Sequence, residues 1–316
     1  MKPHLPLATA LLLVTSGITP IIAGPPSNEP RQREWLPDKP VGNITLGMQF
    51  SEKLTGITFD AITGIWASQK GDKFLFLNGR YHYEDNSQFI SSTGLGFRRL
   101  VPGHDIILGA NIYYDSINSE HGNDFGQAGF GVEMLTRWVD ARFNYYLPEN
   151  DRYVVGRSSS ALRDFKRFET SLEGYNAEVG VLIPGLDRFA EVRAYAGYYH
   201  YNNPFGSDFD GFKARVEARL LRGVVAGVEY WDDAALMGGH WTGSIAVSVP
   251  FSTYNLFTGK NPFEGAGESF KRVPRPFADR MSDVVERSHR IQTTTSGDIP
   301  AGRSHRAVSQ TGGGDE

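Results

Sequence analysis

The stretch DGFKARVEARLL, residues 210–221, alternates between apolar and charged side chains from Phe212 to Leu220. In an extended chain successive side chains point to opposite faces, whereas a helix of about 3.6 residues per turn would mix the two sets. The stretch therefore predicts a β-strand with one apolar and one charged face. The apolar face carries Phe212, Ala214, Val216, Ala218 and Leu220, and the charged face carries Lys213, Arg215, Glu217 and Arg219.

The same alternation recurs along most of the chain, for example in HDIILGANIYYD at 104–115 and RFAEVRAYAGYY at 188–199. Most of the resulting strands are long enough to cross a bilayer at a tilt, which takes about 9–11 residues, whereas strands of soluble proteins are commonly about 5–6 residues long. We predict about twelve strands, near 41–50, 55–67, 73–84, 88–99, 104–115, 124–137, 138–148, 168–183, 188–201, 211–221, 223–232 and 240–252.

The connections between these strands alternate between short and long. RWVD, PGLD and LLRG follow the sixth, eighth and tenth strands, whereas SINSEHGN, ENDRYVVGRSSSALRDFKR, NNPFGSDFD and DDAALMGG follow the fifth, seventh, ninth and eleventh. Bacterial outer-membrane barrels have short periplasmic turns and longer extracellular loops. The pattern predicts an all-β, antiparallel transmembrane barrel over residues 41–252, with its N-terminus in the periplasm.

Composition excludes several other classes of protein. The chain of 316 residues is 40% hydrophobic with a mean hydropathy of -0.34, which argues against a bundle of membrane-spanning helices. It contains no cysteine, so disulfides, thiolate metal sites and cysteine nucleophiles are excluded, and its net charge of -4 argues against a nucleic-acid-binding surface. A soluble all-β protein would also alternate; strand length, an export signal and the alternating connections favour the membrane barrel.

Both ends of the chain lack the alternating pattern. Residues 1–23, with Lys2 followed by an apolar run and then small residues, predict a cleaved signal peptide, and residues 24–40 a polar periplasmic spacer. Residues 253–316 are predicted as a linker rich in glycine and proline, with one short helix and a disordered tail. The helix is predicted over 277–291, where Phe277, Met281 and Val285 recur at helical spacing.

The stretch TGLGFRRLVPGHDIILGANIYYDSIN, residues 93–118, resembles the core of the inverse autotransporters of the intimin and invasin type. FGQAGFGVEML, ARFNYYLP and GYNAEVGVLIPGL resemble the strands that follow in that family. The residues that carry the resemblance are Gly96, Phe97, Arg98, Pro102, Gly109, Tyr113, Tyr114 and Asp115.

The resemblance implies a barrel in the outer membrane, among its lipid and lipopolysaccharide, delivered by periplasmic chaperones and the barrel-assembly machinery. It also implies a helical linker through the pore and an exported C-terminal passenger. Here the chain departs from the family, because residues 253–316 are too few for one immunoglobulin-like module of about 100 residues. The spacer likewise leaves no room for a peptidoglycan-binding module, and a host or surface receptor is unknown.

Three functions are weighed on this basis. The first is a translocator and anchor for surface display or adhesion, with the lumen filled by the C-terminal linker, whose charges would pair with Arg215, Glu217, Arg219 and Glu229. The second is a porin-like pore for small solutes without a passenger. The third, least favoured, is an outer-membrane phospholipase.

One predicted outer loop contains polar side chains that could form a cation site or a hydrolase-like site, but we predict that they are solvated. They are Asp115, Glu120, His121, Asn123 and Asp124. A single histidine beside carboxylates lacks metal-ligand spacing, and Ser116 and Ser119 lie too near His121 in a flexible loop to form a preorganised nucleophile and base. We therefore expect no enzymatic activity, catalytic residue, metal or cofactor.

Two further groups of side chains have structural interpretations. The first is expected to form interfacial aromatic girdles, and consists of Trp66, Tyr81, Tyr83, Tyr145, Tyr198, Tyr230 and Trp241. The second is expected to line the lumen, where its charges either tune ion selectivity or pair around a plug; it consists of Arg142, Arg193, Arg215, Glu217 and Glu229.

Overall fold

The computed structural model describes residues 41–300, except 52–54, 87, 150, 161–162, 187–188 and 233–238. The predicted signal peptide and spacer, and the last residues of the chain, 301–316, lie outside the described residues. None of the helices in the described part is long and apolar enough to cross a membrane.

Twelve antiparallel strands close into a barrel, which confirms the predicted fold class. Strands adjacent in the chain pair with each other, except that β7 pairs with β10, and β1 closes the barrel by pairing with β14. The closing pair runs from Val41 opposite Ser252 to Ser51 opposite Thr242. The barrel strands are β1 Val41–Ser51, β2 Thr55–Ala67, β3 Lys73–Glu84, β4 Phe89–Leu100, β5 Ile106–Asn118, β6 Asp124–Thr136, β7 Val139–Pro148, β10 Gly174–Leu182, β11 Glu191–Tyr201, β12 Phe209–Leu221, β13 Val224–Asp232 and β14 His240–Ser252.

The two faces of β12 separate as its sequence predicts. Phe212, Val216 and Leu220 are exposed on the outer surface of the barrel. Lys213 and Arg215 point inward and form ion pairs with Glu178 of β10 at 3.0 Å and 2.7 Å. A closed barrel satisfies the hydrogen bonds of every strand within the sheet, so its apolar outer face can contact lipid.

The predicted eighth strand, 168–183, is wrong in one respect. The structure divides this region between β10 and a separate hairpin of β8 Arg152–Ser160 and β9 Arg163–Ser171, which lies outside the barrel path. The division falls at Leu172, whose backbone N–H donates to the carbonyl oxygen of Gln292 instead of joining the barrel ladder. Part of the predicted long loop is therefore an ordered hairpin.

The C-terminal segment, residues 253–300, also differs from its prediction. It contains α1 Thr253–Phe257 and two 3₁₀ helices, Ala266–Phe270 and Phe277–Ser282. The helix predicted over 277–291 is wrong beyond Ser282. An extended chain rises about 3.3 Å per residue, more than twice the about 1.5 Å of a helix, so the extended form covers the barrel axis with fewer residues.

The prediction of disorder after residue 292 is also wrong for two short strands. β15 Thr293–Thr295 and β16 Ile299–Pro300 both pair with β9 of the hairpin. They form a small sheet with β8 on its other side. Strand pairing with the β8–β9 hairpin thus holds the backbone of residues 293–300.

Candidate functional site: the lumen and the C-terminal segment

One side of the lumen carries buried charges from neighbouring strands. Arg98 of β4, Asp115 of β5 and Asp140 of β7 all point inward, because the alternation of each strand puts its polar positions on that face. We call these three residues the clamping wall. Each contacts the C-terminal segment, and together they bind it at successive depths of the barrel.

Arg287 makes the most enclosed of these contacts. Its Nη1 and Nη2 donate to the two carboxylate oxygens of Asp115 at 2.6 Å and 2.7 Å, and both side chains have 0% exposure. The guanidinium lies 4.5 Å from the ring centre of Tyr113 and 5.3 Å from that of Tyr146. A bidentate pair stacked on aromatic rings combines charge, hydrogen bonding and cation–π attraction in one place.

A glycine on β6 makes room for this arginine. A Cβ atom at Gly129 would lie 1.9 Å from Arg287 Nη2. No side chain larger than hydrogen fits beside the guanidinium in its present position. The sequence thus leaves a space on the barrel wall that the C-terminal segment fills.

Arg280 binds closer to the short-turn end of the barrel than Arg287 does, near the start of β7. It donates to both oxygens of Asp140 at 3.0 Å and 2.7 Å, and to the carbonyl oxygen of Thr136 at 2.6 Å. Two wall residues also approach the Asp140 carboxylate, Arg193 at 3.4 Å and Arg142 at 3.7 Å. Asp140 therefore has cationic neighbours of its own in addition to Arg280.

Arg98 reverses the arrangement, since here the wall supplies the donor. Its Nη1 donates to the carbonyl oxygens of Met281 at 3.1 Å and Asp283 at 2.5 Å. Beside it, Met281 and Val285 join a buried apolar cluster with Phe74, Phe76 and other wall residues. Backbone, charge and apolar contacts all hold this part of the segment.

The last contacts of the segment lie at the opposite end of the barrel from the short turns. Arg290 forms an ion pair with Glu84 at the end of β3 and donates to Gln88 at 2.8 Å. Beyond it, Thr293 to Thr295 pair with Glu169 to Ser171 of β9. The segment therefore runs from the short-turn end to the hairpin end.

The other side of the lumen is organised differently. Glu178, Lys213, Arg215 and Glu217 form ion pairs among themselves at 2.7 Å to 3.0 Å. We call these four residues the cavity wall, because they line a cavity of about 430 Å³ between the strands and the C-terminal segment. Of the segment, Glu286 approaches Arg215 only to 3.6 Å.

The polar side chains considered as a candidate site in the outer loop do not come together in the structure. Asp115 points into the lumen, whereas Ser119 and Asn123 donate to the buried Glu169 of β9 at 2.9 Å and 2.6 Å, and His121 Nδ1 lies 3.3 Å from it. Glu169 was not predicted to belong to this loop, because residues 168–183 were predicted as a single barrel strand. Among residues 41–300 with their gaps, no group of His, Cys, Asp or Glu residues is arranged to hold a metal ion.

The predicted girdle and lumen residues divide between the two surfaces of the barrel. Trp66, Tyr81, Tyr83 and Trp241 are exposed on its outside. The charged residues predicted for the lumen all make lumenal ion pairs, and they are Arg142, Arg193, Arg215, Glu217 and Glu229. Each of these five charges has a partner on the barrel strands, so this part of the interior is polar but largely self-neutralised.

A closed antiparallel barrel with an apolar outer face and a charged lumen defines an outer-membrane β-barrel. A family model, described as the β-domain of the inverse autotransporters, matches residues 28–234. The match covers more than half of the chain, so the protein belongs to the inverse autotransporter β-domain family and is an outer-membrane protein. No curated protein sequence matches the chain at a significant level.

One solved structure shows the same kind of fold. It is described as "Unveiling the Mechanism Behind the in-meso Crystallization of Membrane Proteins", and it has a TM-score of 0.62 at 15% identity and covers 81% of this chain and 100% of its own. An outer-membrane channel from Pseudomonas putida F1 has a TM-score of 0.47 at 11% identity, with 71% and 99% covered. The β-domain of the Bordetella autotransporter BrkA has a TM-score of 0.31 at 17% identity, with 66% and 97% covered.

Proposed function

We propose that this barrel is a translocator and surface anchor whose own C-terminal segment has passed through the lumen and closes it. In this proposal the short turns face the periplasm and the β8–β9 hairpin faces the cell exterior. Residues after Pro300 are then displayed at the cell surface, as an anchor for display or adhesion.

The observation that carries the proposal is the order of contacts along the segment. Arg272 forms a backbone bridge with Leu221 at the short-turn end, Arg280 binds near the start of β7, and Arg287 binds Asp115 further along the axis. Beyond them, β15 pairs with the hairpin. Contacts that advance in one direction from one mouth to the other are what a threaded chain produces.

The buried ion pairs support closure of the lumen. Removing a charge from water is costly, and the cost is offset only when a well-placed partner is available. While the segment fills the lumen, Asp115 is shut off from water and Arg287 is its bidentate partner, whereas Asp140 also has Arg193 and Arg142.

A second candidate function, passage of small solutes, is favoured by the cavity of about 430 Å³ beside the segment. The two functions differ in conductance. A closed translocator should conduct weakly, and removal of residues 253–316 should raise its single-channel conductance several-fold. Equal conductance with and without these residues would support the porin-like function instead.

We also propose that the protein has no hydrolase activity. The hydroxyl of Ser119 donates to Glu169 at 2.9 Å, and His121 lies against the same carboxylate, so a serine–histidine contact of the acyl-transfer type is replaced by a loop contact. Lipid hydrolysis by refolded protein that is lost in His121→Ala would contradict this.

Protease treatment of intact cells tests the translocator. An epitope follows Glu316, and two control epitopes replace turn glycines with positive φ and open surroundings, Gly103 at the short-turn end and Gly122 at the hairpin end. We expect cleavage at the C-terminus and at position 122, with protection at position 103. Protection at both the C-terminus and position 103, reversed only when the outer membrane is opened, would overturn the proposal.

A further inference from the structure

The segment between the last barrel strand and the lumen exposes several large apolar side chains, along with polar ones such as Lys260 and Glu264. Residues 253–270 follow β14 without a break and contain one α-helix and one 3₁₀ helix. Phe257 has 86% exposure, more than any other exposed large hydrophobic side chain in the described part of the chain. The exposed apolar side chains of this segment are Tyr254, Leu256, Phe257, Phe263 and Phe270.

This segment is fixed to the end of the barrel by backbone hydrogen bonds. The Ser252 N–H donates to the carbonyl oxygen of Pro262 at 2.8 Å, and the Gly223 N–H donates to that of Ser269 at 2.7 Å. The Arg222 N–H donates to the carbonyl oxygen of Lys271 at 3.0 Å. The segment therefore crosses beneath the barrel end from β14 to the turn between β12 and β13.

Other parts of the same end also expose apolar side chains. Trp138 lies in the turn between β6 and β7, and Phe189, with 78% exposure, lies in the turn between β10 and β11. The turn between β12 and β13 is formed by Arg222 and Gly223 and has no apolar side chain to offer. Phe270 follows Ser269, which accepts the hydrogen bond from Gly223 of this turn, whereas Phe263 follows Pro262, which is bonded to the end of β14.

We infer that residues 253–270 are an interfacial collar that binds the headgroup region of the bilayer at the short-turn end and completes the apolar rim of the barrel there. Two observations select lipid as the occupant. The collar continues directly from the lipid-facing surface of β14, and four of its five exposed large apolar side chains are aromatic, which favours the boundary between headgroups and acyl chains. Lys260 and Arg272 are exposed within and beside the collar and provide cations for lipid phosphates.

The collar also fixes the position from which the chain enters the lumen. Because the collar is bonded to the barrel end at Ser252 and Gly223, residues 271–276 start from a fixed position below the lumen. Lipid binding would hold that position without adding contacts inside the barrel. Interfacial anchoring and lumenal binding are therefore separate contributions.

Fluorescence quenching on single-cysteine variants tests the collar, since the chain contains no cysteine of its own. Phe257→Cys and Phe263→Cys carry an environment-sensitive dye in full-length protein, one barrel per nanodisc of phosphatidylethanolamine and phosphatidylglycerol. Leu46→Cys, on the lipid-facing side of β1, is the lipid-contact control. Gly297→Cys, which is exposed at the hairpin end and has open space around it, is the aqueous control.

We expect the dyes at positions 257 and 263 to be quenched by lipid-borne nitroxide, as the dye at position 46 is, and several-fold less by iodide than the dye at position 297. Heat-modifiable migration of each variant verifies that the barrel has folded. Iodide quenching equal to that at position 297 would overturn the proposal, because the collar would then face water. Protection from both quenchers would also overturn it, because a protein surface would then cover the collar.

Discussion

The clamping wall and the cavity wall belong to one lumen and use the same residue types, yet they treat the C-terminal segment differently. Asp115 and Asp140 of the clamping wall bind arginines of the segment through bidentate pairs of 2.6 Å to 3.0 Å. Arg215 of the cavity wall binds its own neighbour Glu178 at 2.7 Å and reaches Glu286 of the segment only at 3.6 Å. In the clamping wall, Asp115 has its close cation only in the segment, whereas Asp140 and Arg98 also have partners in the barrel; the cavity wall pairs its charges by itself.

The difference shows that charge content alone does not identify a binding surface in a barrel lumen. A charge that is neutralised within the wall has little to gain from a threaded chain. A buried charge whose only close partner belongs to the threaded chain is left uncompensated when that partner is replaced. The comparison therefore predicts how much each substitution in the segment should increase release of the segment from the lumen.

The largest effect is expected for Arg287→Gln. This change leaves the fully buried Asp115 without its bidentate cation, and breaking one partner of such a pair costs about 3–5 kcal/mol. Because every 1.4 kcal/mol changes an equilibrium about tenfold, the segment should be released at least about a hundredfold more often. Hydrogen exchange at the Ser288 amide, which donates to the Tyr146 hydroxyl at 2.8 Å, measures the release.

A second variant separates charge from fold in this experiment. Adding Asp115→Asn to Arg287→Gln removes the orphaned charge and should restore a large part of the protection. If Arg287→Gln alone exchanges no faster than the unmodified protein, the clamping wall does not hold the segment.

Arg280→Gln is expected to have a smaller effect, although its bidentate geometry is similar. Asp140 keeps Arg193 and Arg142 as cationic neighbours, so the carboxylate is not left unpaired. The loss should be that of charge-assisted hydrogen bonds, about 1.5–3 kcal/mol. The same exchange measurement checks it, and an effect larger than that of Arg287→Gln would break the distinction between shared and unshared partners.

The sequence predicted the cavity wall better than the clamping wall, for a physical reason. Lys213, Arg215 and Glu217 lie on one strand, where alternation alone assigns them to the lumen. Asp115 and Arg287 are separated by 172 residues, and alternation gives the direction of a side chain but not its partner. Asp115 was accordingly placed in a solvated loop.

The helix predicted over 277–291 failed for a related reason. Met281 and Val285 are spaced as on a helix, and both are buried against wall residues, but Met281 lies in the 3₁₀ helix and Val285 lies in the non-helical chain after it. Contacts at fixed depths along the barrel decided the backbone conformation, and the local pattern could not reveal those depths. The barrel strands were predicted well because each one is specified by its own alternation.

Gly129→Ala tests the shape of the clamping wall without removing a charge. The new methyl group would lie where Arg287 Nη2 now lies, so the guanidinium must shift away from Asp115. Overpacking costs about 1–3 kcal/mol, and the flexible end of arginine should keep this change near the lower limit. Gly79→Ala, with open space around it, is the matched control and should leave the exchange of Ser288 unchanged.

The smallest effect is expected for Glu286→Gln, the only one of these changes that faces the cavity wall. Glu286 is 39% exposed in the cavity and lies 3.6 Å from Arg215, which already pairs with Glu178 and Glu217. An ion pair of this length, with a partly exposed carboxylate, contributes about 0–1 kcal/mol, so the exchange of Ser288 should change less than about fivefold. Raising the salt concentration should reduce even this difference, because the carboxylate is partly exposed. A loss as large as that of Arg287→Gln would mean that both walls clamp the segment, and the contrast between them would fail.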